Sequence, residues 1–307
     1  MWHYGARDYR NIGHKAIYSA NAWRTLNTIG WQHAEPVLRS LVLSLADFGP
    51  KQELNGFAFE NQCYRANIER LKSLQPKPGW EAVTGDTAAT ESLVTAIRQS
   101  SPDEVCGQVA TQLNNGKLTA GSIWDAVHLA AGELRMRARG GAALGSVHAV
   151  TSANGLHNSW LAATGERTRL LLALQAVGWM TQFRTAAGAR PENLRDLQIA
   201  SLERQDGTLE QAWSDIGANN DAAAARLASI AASDGGVEKL FAGALRLVVT
   251  KAEEVHFYKY LAALMEDVPL ASRAWQPKLA ATAAYYLKGP GDRYSAVATR
   301  AMAALKA

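Results

Sequence analysis

The sequence predicts an almost wholly α-helical protein, folded as one bundle-like domain of many helices over residues 1–307. Three observations predict it. Alanine is abundant while proline is sparse, at 9 of 307 residues, a balance that favours helix. Apolar residues recur at three- and four-residue spacing through most of the chain. Polar–apolar alternation over strand length is hard to find, and hydrophobic residues make up 48% of the chain, enough for a sizeable core.

Taken in order, Asp8 to Leu26 reads as a first helix carrying Ile12, Ala16, Ile17, Ala20 and Trp23, with His14 inside it. A link from Asn27 to Gln32 leads to a helix whose first turn holds Pro36, with His33 and Glu35 at its entrance. Gly49-Pro50 is expected to stop it. Phe59 to Leu74 reads as a more polar helix, ended by Gln75-Pro-Lys-Pro-Gly79. Ser101-Pro-Asp-Glu104 is a strong helix start: a capping serine, proline in the first position and two acids in the first turn. Leu118 to Arg139 is a helix with Trp124, His128, Ala131 and Gly132 on one face. Gly121 and Gly132 bracket the histidine and are expected to leave room for an approaching group, or to allow tight helix packing.

After Gly140-Gly141 comes a segment holding His148 and His157. They are nine residues apart, about half a turn out of phase in a continuous helix. They cannot easily share one ion unless Gly155 bends the helix, so His148 is preferred over His157. Glu166 to Arg184 is apolar on most sides and reads as a buried central helix. Arg190-Pro-Glu is expected to start another helix, and Asp221 to Ser233 an alanine-rich one. Val237 to Met265 reads as one long helix, with Glu253, His256 and Lys259 crowded onto one face. Pro269 to Leu287 and Arg293 to Lys306 complete the chain. No fixed-period repeat and no domain boundary stands out.

The net charge of +4 is small for 307 residues, and no basic face interleaved with aromatics points to nucleic acid. Arg135, Arg137 and Arg139 close a helix, where cations suit the dipole. Cys63 and Cys106 form no CxxC pair and suggest no disulfide framework. No apolar run is long enough to span a bilayer, and the N-terminus lacks the apolar core of a signal peptide. The expectation is a cytoplasmic protein with no membrane partner, for which a homodimer is allowed.

The chemistry is carried by histidine. His14, His128, His148 and His256 sit in four separated helical segments with apolar or small neighbours. Helical bundles build metal sites from side chains on facing helices, and imidazole suits iron, copper and zinc. A His-rich site with one anionic ligand and an open position fits redox iron. Glu253-x-x-His256 is half of a di-iron signature, but no second ExxH occurs. No HExxH, P-loop, G-x-S-x-G or G-x-G-x-x-G is present.

Four short stretches carry a resemblance. His148-Ala-Val-Thr-Ser resembles the H-x-V-T-S segment of the questin oxidase-like family. Ala126-Val-His-Leu-Ala130 is similar to their I-H-L-G, with Ala130 where glycine is usual. His256-x-x-Lys259 is similar to their late H-x-x-K. Asn11-Ile-Gly-His14 resembles their early N-H-x-x-H, with the first of its two histidines replaced. The resemblance implies a helical, mononuclear non-haem iron oxygenase that opens a ring of a polycyclic aromatic or quinone substrate, by oxidative C–C cleavage or a Baeyer–Villiger-like insertion. It implies Fe(II) held by His14, His128, His148, His256 and a carboxylated Lys259, with His256 and Lys259 at the catalytic centre, dioxygen as co-substrate and NADPH as a candidate reductant. His33 and His157 stand as alternatives to His14. Burial lowers a lysine pKa, and the neutral amine can add carbon dioxide to become an anionic carbamate. Trp124, Tyr18, Phe257 and Trp160 are candidates for the substrate wall. The chain is shorter than typical members, so a lid or recognition segment is expected to be missing. The competing readings are a non-catalytic helical binding or scaffold protein, and a zinc hydrolase on the same histidines.

Overall fold

A computed structural model describes residues 1–7, 9–46 and 58–306. The fold is all-α: among the described residues there is no strand, only an isolated antiparallel bridge between Ala138 and Leu194. No helix among them is long and apolar enough to cross a membrane. The chain divides into two compact units, one of residues 1–131 and 140–193, the other of residues 132–139 and 194–307. One crossing of this division falls inside a helix, between Ala131 and Gly132, and another at the Gly140-Gly141 break.

The first unit contains α1 (Trp2–Gly5), α2 (His14–Ile29), α3 (Ala34–Ala46), α4 (Ala58–Arg70), α5 (Thr87–Gln99), α6 (Pro102–Asn114), α7 (Ala120–Arg137) as far as Ala131, α8 (Ala142–Ala162) and α9 (Glu166–Ala187). Its centre is α9, buried continuously from Leu170 to Phe183. A helix apolar on every side gains most when neighbours cover all of it, and α8, α6, α4, α5 and α1 do so. Polar groups in this core pair with one another: Asn67 donates to Gln175 at 2.9 Å, and Gln175 donates to the Ala6 carbonyl. On the other side α8 packs along α2. Gly155 permits this, because a Cβ there would already lie 3.3 Å from the Ala16 and Ile17 backbone.

The sequence placed the start of α6 correctly. Ser101 and Glu104 form a reciprocal capping box with Pro102 in the first turn. It missed α5, capped by Asp86. The expected helix from Asp8 does not run through to His14. Asp8 lies outside the described residues, and Asn11, Ile12 and Gly13 take left-handed φ of 54°, 50° and 81°. A β-branched residue there is strained. The strained turn brings the chain hard against α8, where a Cβ on Gly13 would sit 2.7 Å from Ser152. The Gly49-Pro50 stop also lies outside the described residues.

The second unit contains the end of α7, then α10 (Leu209–Asp215), α11 (Asn220–Ala231), α12 (Gly236–Lys251), α13 (Val255–Asp267), α14 (Gln276–Ala281) and α15 (Ala296–Ala304). Here the expected long helix from Val237 to Met265 is broken. Ala252 and Glu254 are extended, and Glu254 caps α13 by accepting from the His256 N–H. The cause is tertiary. The α12 end is held by Ser295, whose N–H donates to the Thr250 carbonyl, and by Lys251, which donates to the Pro290 and Asp292 carbonyls. Glu253 therefore leaves the helical face it was assigned to and pairs with Arg293. Arg190-Pro-Glu forms only a short 3-10 turn. The Pro269 to Leu287 stretch is likewise divided, into α14 and a following 3-10 turn.

Candidate metal centre

In α8 the helix runs unbroken through Gly155. His148 and His157 therefore keep their half-turn phase difference and lie about 13.5 Å apart along the axis. Each meets a different histidine. His14, the first residue of α2, sits against His148 with ring centroids 4.7 Å apart. His128 of α7 faces His157, Nε2 to Nδ1, at 2.8 Å. The expected ligands of the first unit thus divide between two pairs. His14 and His148 come together, whereas His128 joins the histidine that the helical phase had ranked lower. Among the described residues, neither His14 nor His148 belongs to any group of three side chains close enough to share an ion.

The pair on α2 and α8 has fixed tautomers. His14 Nδ1 lies 2.6 Å from the Asn11 carbonyl, in the strained turn, and His148 Nδ1 lies 2.9 Å from the Leu144 carbonyl. A ring that donates from Nδ1 carries its lone pair on Nε2. The pair on α7 and α8 is the more deeply set. Burial lowers the pKa of His128 to about 3 and that of His157 well below the usual histidine value, with His128 adding to the second shift. Both rings are neutral at pH 7. Trp124, one turn before His128, stacks on His157 at 4.2 Å and 8°. Trp160, three residues after His157, packs edge-on to Trp124 at 6.1 Å. The indole N–H groups of Trp124 and Trp160 are buried and have no acceptor among the described residues.

The glycines beside His128 do not make room for a ligand. A Cβ on Gly121 would lie 2.4 Å from the Val83 carbonyl oxygen, and one on Gly132 3.1 Å from Thr282. Both serve close packing, the blander of the two expectations. Of the proposed substrate wall, Trp124 and Trp160 are buried, Phe257 is half-buried and Tyr18 is exposed. His33 is exposed in a 3-10 turn.

Known protein families, curated proteins and solved structures contain no match to this chain. The resemblance to the questin oxidase-like family therefore stands on four histidine-centred stretches of sequence.

His256 and Lys259 belong to the second unit, in the first turns of α13, both half-buried. His256 Nδ1 pairs with the Glu254 carboxylate, whose other oxygen accepts from Tyr286 at 3.1 Å. A carboxylate on Nδ1 orients a ligating histidine, and it equally makes an ordinary ion pair. Phe257 stacks on Tyr286 at 4.8 Å.

His157 was legible in principle. The same phase that separates it from His148 requires it to meet a different helix. Trp124-x-x-x-His128 and His157-x-x-Trp160 each carry an indole beside an imidazole at helical spacing, which marks them as two halves of one aromatic cluster.

Proposed function

We propose that the chain is a metal-dependent oxidoreductase whose ion, iron by preference, is held by His128 and His157, and that it oxygenates a flat aromatic substrate. The observation that carries this reading is the pair of buried, neutral imidazole nitrogens 2.8 Å apart. Neutral imidazole is the form that binds iron, copper or zinc. These two ring nitrogens would hold the ion between α7 and α8.

Bound iron would supply the reduction of dioxygen. The residues of this chain do the rest. Trp124 holds the His157 ring in plane. Burial keeps both imidazoles unprotonated and excludes bulk water. The indole N–H groups of Trp124 and Trp160 offer hydrogen bonds to an oxygen acceptor, which a quinone or phenolate would satisfy.

A second reading has its own observation. The two ring nitrogens already satisfy each other, one donating and one accepting, which suffices for a structural histidine pair. Anaerobic titration of chelator-treated protein with Fe(II) separates the two. The oxidoreductase reading expects about one equivalent bound, lost in His128→Ala and His157→Ala but kept in His148→Ala, and oxygen uptake with a hydroxyanthraquinone. Protein with no affinity for Fe(II), Co(II) or Zn(II) would leave only the structural pair.

A further inference from the structure

The second unit holds a cavity of about 850 Å³ whose lining includes no histidine. That is a size usual for small-molecule sites. Its floor is one face of α12, where Lys239, Gly243, Arg246 and Thr250 follow at spacings of four, three and four. Gly243 decides the shape of this floor. A Cβ there would fall 2.8 Å from the Trp213 ring, so only glycine lets the indole lie flat on the helix. Leu209, Leu247 and Met302 extend the apolar lining.

The charges around this surface are one-sided. Three bases line the cavity, Lys239, Arg246 and Lys251, against one acid, Glu210. Lys251 is committed: its Nζ donates to two carbonyls and sits 3.7 Å from the centre of the Tyr294 ring. Glu210 is exposed, and hydrogen bonds from its own N–H and from Thr208 hold its carboxyl below the usual range, so it stays anionic and the bases still outnumber it. Lys239 and Arg246 are exposed and make no ion pair among the described residues. Their Cα atoms are about 10.5 Å apart along the helix.

We infer that this cavity binds an apolar monoanion, an aromatic or acyl body bearing one carboxylate or sulfonate. The body lies on Trp213, Leu247 and Met302. The anionic head meets Arg246, whose guanidinium fork suits a carboxylate, with Lys239 adding attraction from the next turns. The inference does not depend on the metal reading, and its test needs no metal.

The probe is 1-anilinonaphthalene-8-sulfonate, titrated into the full chain by fluorescence. Uncharged N-phenyl-1-naphthylamine serves as its counterpart, and laurate and 2-naphthoate as competitors. The expected result is one saturable site. Lys239→Gln with Arg246→Gln weakens the sulfonate at least tenfold and the uncharged probe less than twofold, while Arg246→Lys, which keeps the charge but loses the fork, weakens the sulfonate by less than the double variant does. Ala242→Phe, which narrows the cavity over α12, weakens both probes alike. The competitor that displaces at lower concentration assigns the body as acyl or aromatic. Should the double variant fail to fold, Arg246→Gln alone carries the same comparison. The inference is overturned if binding is not saturable, if both probes weaken equally in the charge variants, or if neither competitor displaces.

Discussion

The buried histidine pair of the first unit and two buried cations of the second are accommodated in opposite ways. In the first, His128 and His157 give up their protons and pack as neutral rings. In the second, Lys251 and Arg135 are equally buried but are held by carbonyls and aromatic faces. Lys251 has the Pro290 and Asp292 carbonyls and the Tyr294 ring. Arg135 donates to the Ala138 carbonyl at 2.9 Å and lies 5.4 Å from the centre of the Tyr286 ring. The reason is intrinsic proton affinity. Histidine sheds a proton near neutral pH at small cost, whereas lysine and arginine hold theirs far above neutral pH. A buried histidine therefore becomes a ligand or a hydrogen-bond partner. A buried lysine or arginine becomes a structural cation solvated by dipoles.

The largest expected effect lies in the first unit. His157→Ala removes an aromatic ring and leaves the partner nitrogen of His128 without its bond, costing about 3 kcal/mol. Urea unfolding of metal-free protein measures it, and a cost under about 1 kcal/mol would show that the pair is not packed as described. Next comes Lys251→Met, which keeps the aliphatic stem but strips the donor from two carbonyls, at about 2 kcal/mol. If the cation is held mainly by dipoles, 1 M NaCl should leave the parent's stability nearly unchanged, since carbonyl contacts are screened less than exposed ion pairs.

The pH dependence sharpens the contrast. In metal-free protein both imidazoles are neutral when folded and protonate near pH 6.5 when unfolded. The unfolded chain therefore binds more protons as pH falls. Stability is full above about pH 6.5 and declines toward about pH 3, by up to about 1.4 kcal/mol per pH unit for each histidine. Denaturation midpoints at pH 7 and pH 5 test this, and the drop should shrink in His128→Gln with His157→Gln. Cys63 and Cys106 give a smaller readout. Both pack against Gly178, and burial pushes the Cys106 thiol up to about 11. Iodoacetamide at pH 8 should modify neither until the protein unfolds. The smallest effect is the cap, where Ser101→Ala should cost about 1 kcal/mol and leave the pH profile unchanged.

Much of the local structure was readable from the chain. The capping box at Ser101, the buried α9 and the breaks at Gly140 and Gly79 all rest on contacts within a few residues. Helical phase alone also kept His148 and His157 from sharing an ion. Two of the misreadings share one cause. Asn11 and Gly13 tolerate left-handed backbone but Ile12 between them resists it, and Thr250-Lys-Ala-Glu-Glu254 carries no helix breaker. In both places the chain departs from its local preference because of distant groups: α8 closing on Gly13, and the Pro290–Ser295 segment holding the end of α12.

The sequence by itself determined that this protein is helical, where most of its helices lie, and on which helical faces its histidines stand. Only the tertiary structure decided which imidazole faces which, because partner choice depends on how helices far apart in sequence are rotated and placed against one another. Helical periodicity sets the face on which a ring stands and leaves open what that face will meet.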